Sequence, residues 1–323
     1  MIISKTPLRV DLIGDGTDLP SFCKKERGSI INAAIAKYIY IIVHKSFDKK
    51  NIVAYKKREE VDNVEEIQNE RVREAMKMVG ITKGIEIHSL AEVPAGTGLG
   101  SSSAFTVGLL NALYAYQGKY ISAERLAKEA SEIEINILKD PIGRQDQYAA
   151  AFGGFNKMEF VDQEVKVKNL LFGEGLKKQI ESNMMMFFLG EVRDASSILR
   201  SQSESIEKDL EVFRIMQNMR DLADKFESDL SNKDISFFGE ILSKNWMLKK
   251  QLANVNNPDI EKYYQLALDA GAKGGKLSGA GGSGFLILYV EPEKQNAVRR
   301  ALSDLREYEF KFEKEGSRII YVG

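Results

Sequence analysis

The strongest constraint on the fold is a glycine-rich loop between a predicted strand and a predicted buried helix. The alternating run Gly84–Leu90 is typical of a strand, and Ala104–Leu113 is apolar on nearly every side, as in a buried helix. The connecting segment, Pro94–Ala104, reads Pro-Ala-Gly-Thr-Gly-Leu-Gly-Ser-Ser-Ser-Ala. Its alternating glycines allow sharp turns and close approach to a ligand. Because the free N–H groups of the following helix's first turn would face that ligand, the segment predicts an anion site.

Two well-known nucleotide-binding patterns do not fit this loop. No lysine follows its last glycine, as a Walker A loop requires, and Ser101 stands where the third glycine of a dinucleotide fingerprint would fall. A glycine- and serine-rich turn alone can also be a plain connection. The glycines, the serine triplet and the buried helix together favour phosphate binding. The candidate contacts are Pro94, Gly96, Thr97, Gly98, Gly100, Ser101, Ser102 and Ser103.

The same segment resembles the ATP-binding signature of the small-molecule kinases that include galactokinase, homoserine kinase, mevalonate kinase and phosphomevalonate kinase. Those families share the form Pro-x-x-x-Gly-Leu-Gly-Ser-Ser-x-Ala, which this sequence matches throughout. The resemblance implies that ATP is bound here together with Mg²⁺, and that Ser102 is one of the metal's ligands.

A tight polar turn, Gly14–Asp18, follows the first predicted strand, Leu8–Ile13. On its own it could be a plain turn. The stretch Thr6–Asp18 resembles the first motif of the same kinases, which positions a sugar substrate. Its Gly-Thr-Asp ending resembles the heptose 7-phosphate kinase and fucokinase-like branch, where the loop is usually Gly-Gly-Gly-Thr-Asp. The resemblance implies a catalytic role for Arg9 and substrate contacts from Asp15, Gly16, Thr17 and Asp18, with Asp15 a departure from that branch.

Two carboxylates further along are candidates for metal binding and catalysis. In the predicted helix Ser122–Lys139, Glu134 falls inside the apolar arc, so it needs a cationic side chain or a metal as partner. Asp146 follows a helix break at Pro141 and could also be a helix cap. Its surroundings resemble the Gly-Lys-Gln-Asp-Gln-Tyr stretch of the same branch, which implies that Glu134 binds magnesium and Asp146 is the catalytic base. A carboxylate suits that task in phosphoryl transfer.

Three further stretches complete the candidate site. Arg144 replaces the lysine of the resembling motif and is expected to contact the substrate. Arg193 could hold a phosphate bidentately or form a surface salt bridge. Gly271–Gly284 contains a formal G-x-G-x-x-G, but a helix precedes it and a strand follows, so a dinucleotide site is rejected. In the resembling kinases this stretch closes over the active site, which implies substrate contacts from Gly281 and Gly282.

Composition excludes several classes of function. A net charge of -1 gives no reason to expect nucleic acid or a membrane surface as a partner. The single cysteine, Cys23, excludes a disulfide framework. His44 and His88 are the only histidines; no second ligand type stands near them at metal spacing, so structural or surface roles are expected. With no leader or membrane span recognised, the cytoplasm is the expected compartment. The oligomeric state stays open, a homodimer included.

The resemblance implies an α+β fold of two domains with the active site between them. Residues 1–175 would resemble the second domain of ribosomal protein S5, and residues 176–323 a ferredoxin-like sandwich. The implied reaction is ATP-dependent phosphorylation of a sugar phosphate, D-glycero-D-manno-heptose 7-phosphate, at its anomeric hydroxyl. The alternatives are a kinase for a free sugar such as fucose or galactose, a non-catalytic sugar sensor, and a decarboxylase like the mevalonate diphosphate enzyme.

Overall fold

The chain folds into two β-sheets with helices packed on both, and this mixture confirms the predicted α+β class. The structure, a computed structural model, describes residues 1–323 except 172, 191–194, 231–234, 236, 253–254 and 283. None of the helices in the described part of the chain combines the length and apolar character that crossing a bilayer requires.

The first sheet holds most of the strands. Its main order is β12-β1-β2-β5-β3-β4, and β6 pairs with β2 and with β7. The second sheet has the order β11-β8-β10-β9. The strands are β1 (Ile2–Ile13), β2 (Gly28–Lys45), β3 (Asn51–Ala54), β4 (Arg58–Val61), β5 (Ile85–Ala91), β6 (Phe155–Val161), β7 (Glu164–Asn169), β8 (Met184–Phe188), β9 (Gly274–Leu277), β10 (Phe285–Tyr289), β11 (Arg306–Glu307) and β12 (Arg318–Val322).

Helices pack against strands of both sheets. A 3₁₀ turn occupies Val64–Glu66, and a π-helix occupies Glu132–Ile137. The α-helices are α1 (Pro20–Cys23), α2 (Glu70–Val79), α3 (Ser101–Tyr116), α4 (Ala123–Ser131), α5 (Gln145–Phe152), α6 (Glu174–Asn183), α7 (Ala195–Lys208), α8 (Leu210–Leu230), α9 (Phe237–Lys249), α10 (Pro258–Asp269) and α11 (Pro292–Ala301).

Strand β2 is long because it exchanges one neighbour for another halfway along. Gly28 to Ala33 pair with β6, and Ile39 to Lys45 pair with β5. The pairing with β1 shifts register between Pro7 and Leu8, which leaves two residues of β2 unmatched. The run 29–43 is too long for an average strand, which predicts a bend near residues 33–37, and this irregularity lies there.

The chain beyond residue 307 crosses from the second sheet back to the first. The Tyr308 amide donates to Met186 O in the second sheet, whereas Lys311 O accepts from the Ala36 amide in the first. The alternating aromatic residues of Tyr308–Phe312 predict a strand from the sequence, but the segment forms only an isolated bridge, at Phe312, so this prediction is wrong. Its aromatic side chains alternate because they pack against the core, not because the backbone joins one ladder. Strand β12 then pairs with β1, so residues after 311 lie in the first sheet, although the predicted boundary near 175 assigns them to the second domain.

Candidate active site

The glycine loop and helix α3 form an open anion site. Gly96, Gly98 and Gly100 all have positive φ, between 71° and 79°, a backbone conformation that only glycine adopts readily. Helix α3 begins at Ser101, and no described side chain caps it. The N–H groups of its first turn therefore point into the cleft beside the exposed Ser102. This terminus can receive phosphate oxygens through hydrogen bonds and through the helix dipole.

Arg9 holds Asp146 at the edge of that loop. Its Nε donates to Asp146 Oδ1 at 2.8 Å, and its second terminal nitrogen donates to Oδ2 at 2.9 Å. The other terminal nitrogen donates to Gly98 O at 2.6 Å. Burial raises the pKa of Asp146, and the Arg9 charge opposes that rise. The structure thus joins the two predicted catalytic residues and fixes the carboxylate's orientation.

Asp18 lies in the same cleft and is almost fully buried. Its Oδ2 accepts a hydrogen bond of 2.9 Å from the amide of Gln145, the first residue of α5. Burial raises the pKa of Asp18 to about 6, and the negative charge of Asp146 adds to the rise, although the Gln145 amide opposes it. Near neutral pH a carboxyl group with this pKa can accept a hydrogen bond from a sugar hydroxyl when ionised, or donate one to it when protonated.

Asp15 belongs to a buried cluster of charges that joins the two sheets. Its Oδ1 accepts from Lys276 Nζ at 2.6 Å and from Asn245 Nδ2 at 3.0 Å, and its Oδ2 pairs with Lys249. Lys276 Nζ also donates to Asp11 Oδ2 at 2.9 Å. Burial by itself would raise the pKa of Asp11, but the charges of Lys276, Lys249 and Arg9 hold it well below its usual range. The departure from the branch pattern at position 15 therefore supplies a charge partner for two buried lysines.

Glu134 is fully buried within the π-helix, in a pocket of donors. It accepts from Ser103 Oγ at 2.7 Å, Thr106 Oγ1 at 2.8 Å and Gln147 Nε2 at 2.5 Å. Arg71 Nε donates to it at 3.1 Å and also pairs with Asp140. The cationic partner that the sequence left open is thus Arg71. The metal role of Glu134 and Ser102 stays a prediction; their carboxylate and hydroxyl oxygens are the ligand type that Mg²⁺ prefers.

Several predicted substrate contacts do not reach the cleft. The Thr17 hydroxyl donates to Gly14 O at 2.8 Å and accepts from the Ser29 amide, so it closes its own turn. Arg144 turns away and donates to Asp162 O and Cys23 Sγ, because the start of α5 directs it to the opposite side. Gly281 and Gly282 are buried against Val255 and Asn257, and the cleft is lined instead by Gly279 and Ala280. Gly16 does line the cleft, whereas Arg193 lies outside the described residues.

The charged residues of the site that the sequence analysis missed include Asp11 and three cations. A local signal existed for Asp11, since Arg9 and Asp11 share one face of a strand whose other residues are apolar. No comparable signal marked the others, because their partners lie far away in sequence. They are Arg71, Lys249 and Lys276.

Known proteins match this arrangement over almost the whole chain. Residues 67–154 match the family model described as GHMP kinases N terminal domain, and residues 204–308 match GHMP kinases C terminal. The D-glycero-alpha-D-manno-heptose 7-phosphate kinase of Campylobacter jejuni is 34% identical, with 98% of this chain and 97% of the relative covered.

Two solved structures have the same architecture. The D-glycero-D-manno-heptose 1-phosphate kinase of Bacteroides thetaiotaomicron superposes with a TM-score of 0.82 at 27% identity and covers 100% of each chain. A structure described as a sugar kinase of Campylobacter jejuni superposes with a TM-score of 0.80 at 32% identity, over 99% of this chain and 98% of that one. The predicted two-domain fold is confirmed by these likenesses. With its glycine loop, its arginine-held aspartate and these matches taken together, the chain belongs to the GHMP kinase family.

Proposed function

We propose that the chain transfers the γ-phosphoryl group of ATP to the anomeric hydroxyl of a heptose phosphate, D-glycero-D-manno-heptose 7-phosphate. The observation that carries this proposal is the proximity of the base and the anion site. A Cβ atom placed on Gly100, the residue that precedes α3, would lie 3.4 Å from Asp146 Oδ2. A phosphate on that helix end and a hydroxyl on Asp146 would therefore be neighbours, as in-line transfer requires.

The chain's own residues supply positioning and charge. Asp146 accepts the proton of the attacking hydroxyl, and burial makes it a stronger base than an exposed aspartate. Arg9 holds both carboxylate oxygens and places a positive charge beside the reacting groups. Ser102 and Glu134 would hold Mg²⁺, which neutralises phosphate charge when bound. Asp18 orients the sugar. The cytoplasm is the compartment of this proposal, because ATP is the donor.

The names of the relatives leave the regiochemistry to be tested, since one acts on a 7-phosphate and the other on a 1-phosphate. The experiment is coupled ADP release with MgATP and both heptose monophosphates, alongside mannose, fucose, galactose, mevalonate and homoserine. Turnover with the 7-phosphate and a new anomeric phosphate in the ³¹P spectrum are expected. Turnover with the 1-phosphate alone would move the transfer to the other end of the sugar.

A free sugar is the second candidate, and one observation favours it. The described cations that line the cleft, Arg9, Arg71 and Lys249, each pair with a carboxylate. Each of these three cations is therefore already paired and is less available to bind a substrate phosphate. Galactokinase from Pyrococcus furiosus, at 28% identity, is also a relative, as is the bifunctional fucokinase/GDP-fucose pyrophosphorylase of Arabidopsis thaliana, at 24% identity over 31% of its length. Turnover with fucose or galactose in the same panel would select this candidate, and ATP binding without any turnover would select a sugar sensor.

A further inference from the structure

The only two histidines of the chain lie next to each other on the first sheet, outside the catalytic cleft. His44 is on β2 and His88 is on β5. The strand register places Glu86 directly opposite His44, and His88 two residues further along β5. Because Ile85 and Ile87 point into the core, Glu86 and His88 share the outer face with His44. Strand pairing thus supplies the second ligand type that was not recognised in the sequence.

The ligand atoms of the three side chains converge. Nε2 of His88 lies 2.8 Å from Glu86 Oε1, and Nε2 of His44 lies 3.6 Å from Glu86 Oε2. One nitrogen of each ring and one carboxylate oxygen all lie within 4.8 Å of one another. Zinc–ligand bonds of about 2.0–2.2 Å need ligand atoms only about 3.4 Å apart. Both rings are more than a third exposed, so small rotations can close the remaining gap.

The hydrogen bonding of His44 directs the free nitrogen of its ring toward Glu86. Its Nδ1 lies 3.1 Å from Lys45 O, and a carbonyl can only accept, so Nδ1 carries the hydrogen. In the neutral ring Nε2 then presents a lone pair to a carboxylate oxygen, which is also an acceptor. A metal ion between the two atoms would bind both of them. A backbone carbonyl on the other ring nitrogen is the orienting partner that metal-bound histidines usually have.

We propose that His44, Glu86 and His88 form a surface site for a divalent transition-metal ion of the zinc type. Two imidazoles and one carboxylate are three zinc ligands, and the exposed side leaves the fourth position to water. The catalytic Mg²⁺ prefers oxygen ligands, so the two sites select different ions. Among the described residues, this group has three potential metal ligands within 4.8 Å of one another. A bound ion would join β2 to β5 and stabilise the folded sheet by linkage.

The test uses the full chain without a histidine tag, titrated with Zn²⁺ in excess Mg²⁺ while the histidine ring protons are followed by NMR. Only two histidines exist, so the spectrum reports this site alone. Both signals are expected to move together and to saturate at one equivalent. Glu86→Gln should weaken binding at least about tenfold, and His44→Asn should leave the His88 signal nearly unmoved. Glu92→Gln is the matched control: this exposed carboxylate follows the last residue of β5 and accepts from Tyr40 of β2, and the variant should bind zinc normally.

Three results would overturn the proposal. They are signals that titrate at different zinc concentrations, unchanged affinity in Glu86→Gln, and no shift up to millimolar zinc. Kinase turnover serves as the folding control, because the three side chains lie outside the cleft. A zinc-dependent rise in the unfolding temperature should occur in the parent chain and in Glu92→Gln, and should be absent from Glu86→Gln.

Discussion

The carboxylate of Asp18 occupies the space that a side chain at position 143 would need. A Cβ atom on Gly143 would lie 1.9 Å from Asp18 Oδ2 and 2.2 Å from its Cγ. The same carboxylate is held by the Gln145 amide, so it cannot move aside without losing that bond. The turn after β1 and the start of α5 therefore fit together only when residue 143 is glycine.

Gly143→Ala should displace Asp18 and misplace the sugar. We expect a loss of kcat/KM for the sugar of about 100-fold, the effect of a shift near 1 Å in a positioning group, with little change in ATP affinity. Gly175→Ala is the control, since a Cβ there meets nothing within 4 Å. Steady-state kinetics of both variants check the prediction, and parent-like kcat/KM in Gly143→Ala would remove Asp18 from the sugar site.

Asp18→Asn should stabilise the fold, and more so at higher pH. The folded pKa of about 6 lies above the ordinary value of 3.8, so the folded state holds this proton more tightly than the unfolded chain. That contribution is complete below the unfolded pKa and is lost as the pH rises through the folded pKa. The gain from the substitution should grow by roughly 1–2 kcal/mol between about pH 5 and about pH 7.5. Urea unfolding at the two pH values measures it, and an equal gain at both would contradict the raised pKa.

The acid limb of the kcat/KM profile should report Asp146. Since burial raises its pKa, the limb should lie above the ordinary value of 3.8. The Arg9 charge lowers that pKa, so Arg9→Gln should move the limb to higher pH, whereas Arg9→Lys should move it less. Asp146→Asn should lower turnover by about 10²–10⁴-fold with ATP binding kept. A limb that disappears in Asp18→Asn would belong to Asp18 instead.

Glu134→Gln should raise the Mg²⁺ concentration needed for half-maximal rate. We expect at least about a tenfold rise. The substitution removes the negative charge, and it places an NH₂ group among three side chains that donate hydrogen bonds to the carboxylate. Glu132→Gln, in the same π-helix but exposed, is the matched control. Rates measured across a magnesium titration decide the point, and an unchanged requirement in Glu134→Gln would assign Glu134 a structural role with Arg71.

Asp15→Gly, which restores the usual residue of the branch, should destabilise this chain. It leaves Lys249 and Lys276 with one buried carboxylate fewer, and breaking a buried pair costs about 3–5 kcal/mol. Adding Lys249→Met should recover part of the loss, because the unpaired charge is removed. Chemical unfolding of the single and double variants gives the coupling, and additive effects would mean that the two side chains do not interact.

Local pattern predicted much of this site because each motif is a short segment with a distinctive backbone. The positive φ angles of Gly96 and Gly98 agree with a loop inferred from glycine spacing alone. Burial of Glu134 followed from a helical wheel, although the wheel assumed an α-helix and the segment is π-helical. Glu134 is the third residue of that segment, so little of the changed rotation has accumulated before it and its side chain still faces inward.

What could not be predicted depends on contacts across long sequence separations. Lys276 meets Asp11 at a separation of 265 residues, and Lys249 meets Asp15 at 234. Nothing in the residues around either lysine distinguishes a buried cation from a solvated one. The direction of Arg144 was missed for a related reason: its charge matched the motif, but the path of the chain into α5 decides where it points.

The pairing of β12 with β1 bears on how the chain is made. Ile2 pairs with Val322, so β1 is synthesised long before this neighbour, which follows roughly 300 residues later along the chain. Until then that edge of β1 has unpaired N–H and C=O groups, the kind of edge to which other chains can add. The first sheet therefore closes late in synthesis, because early pairing of β1 with β2 covers only one edge of β1 and the other stays open until β12 has been made.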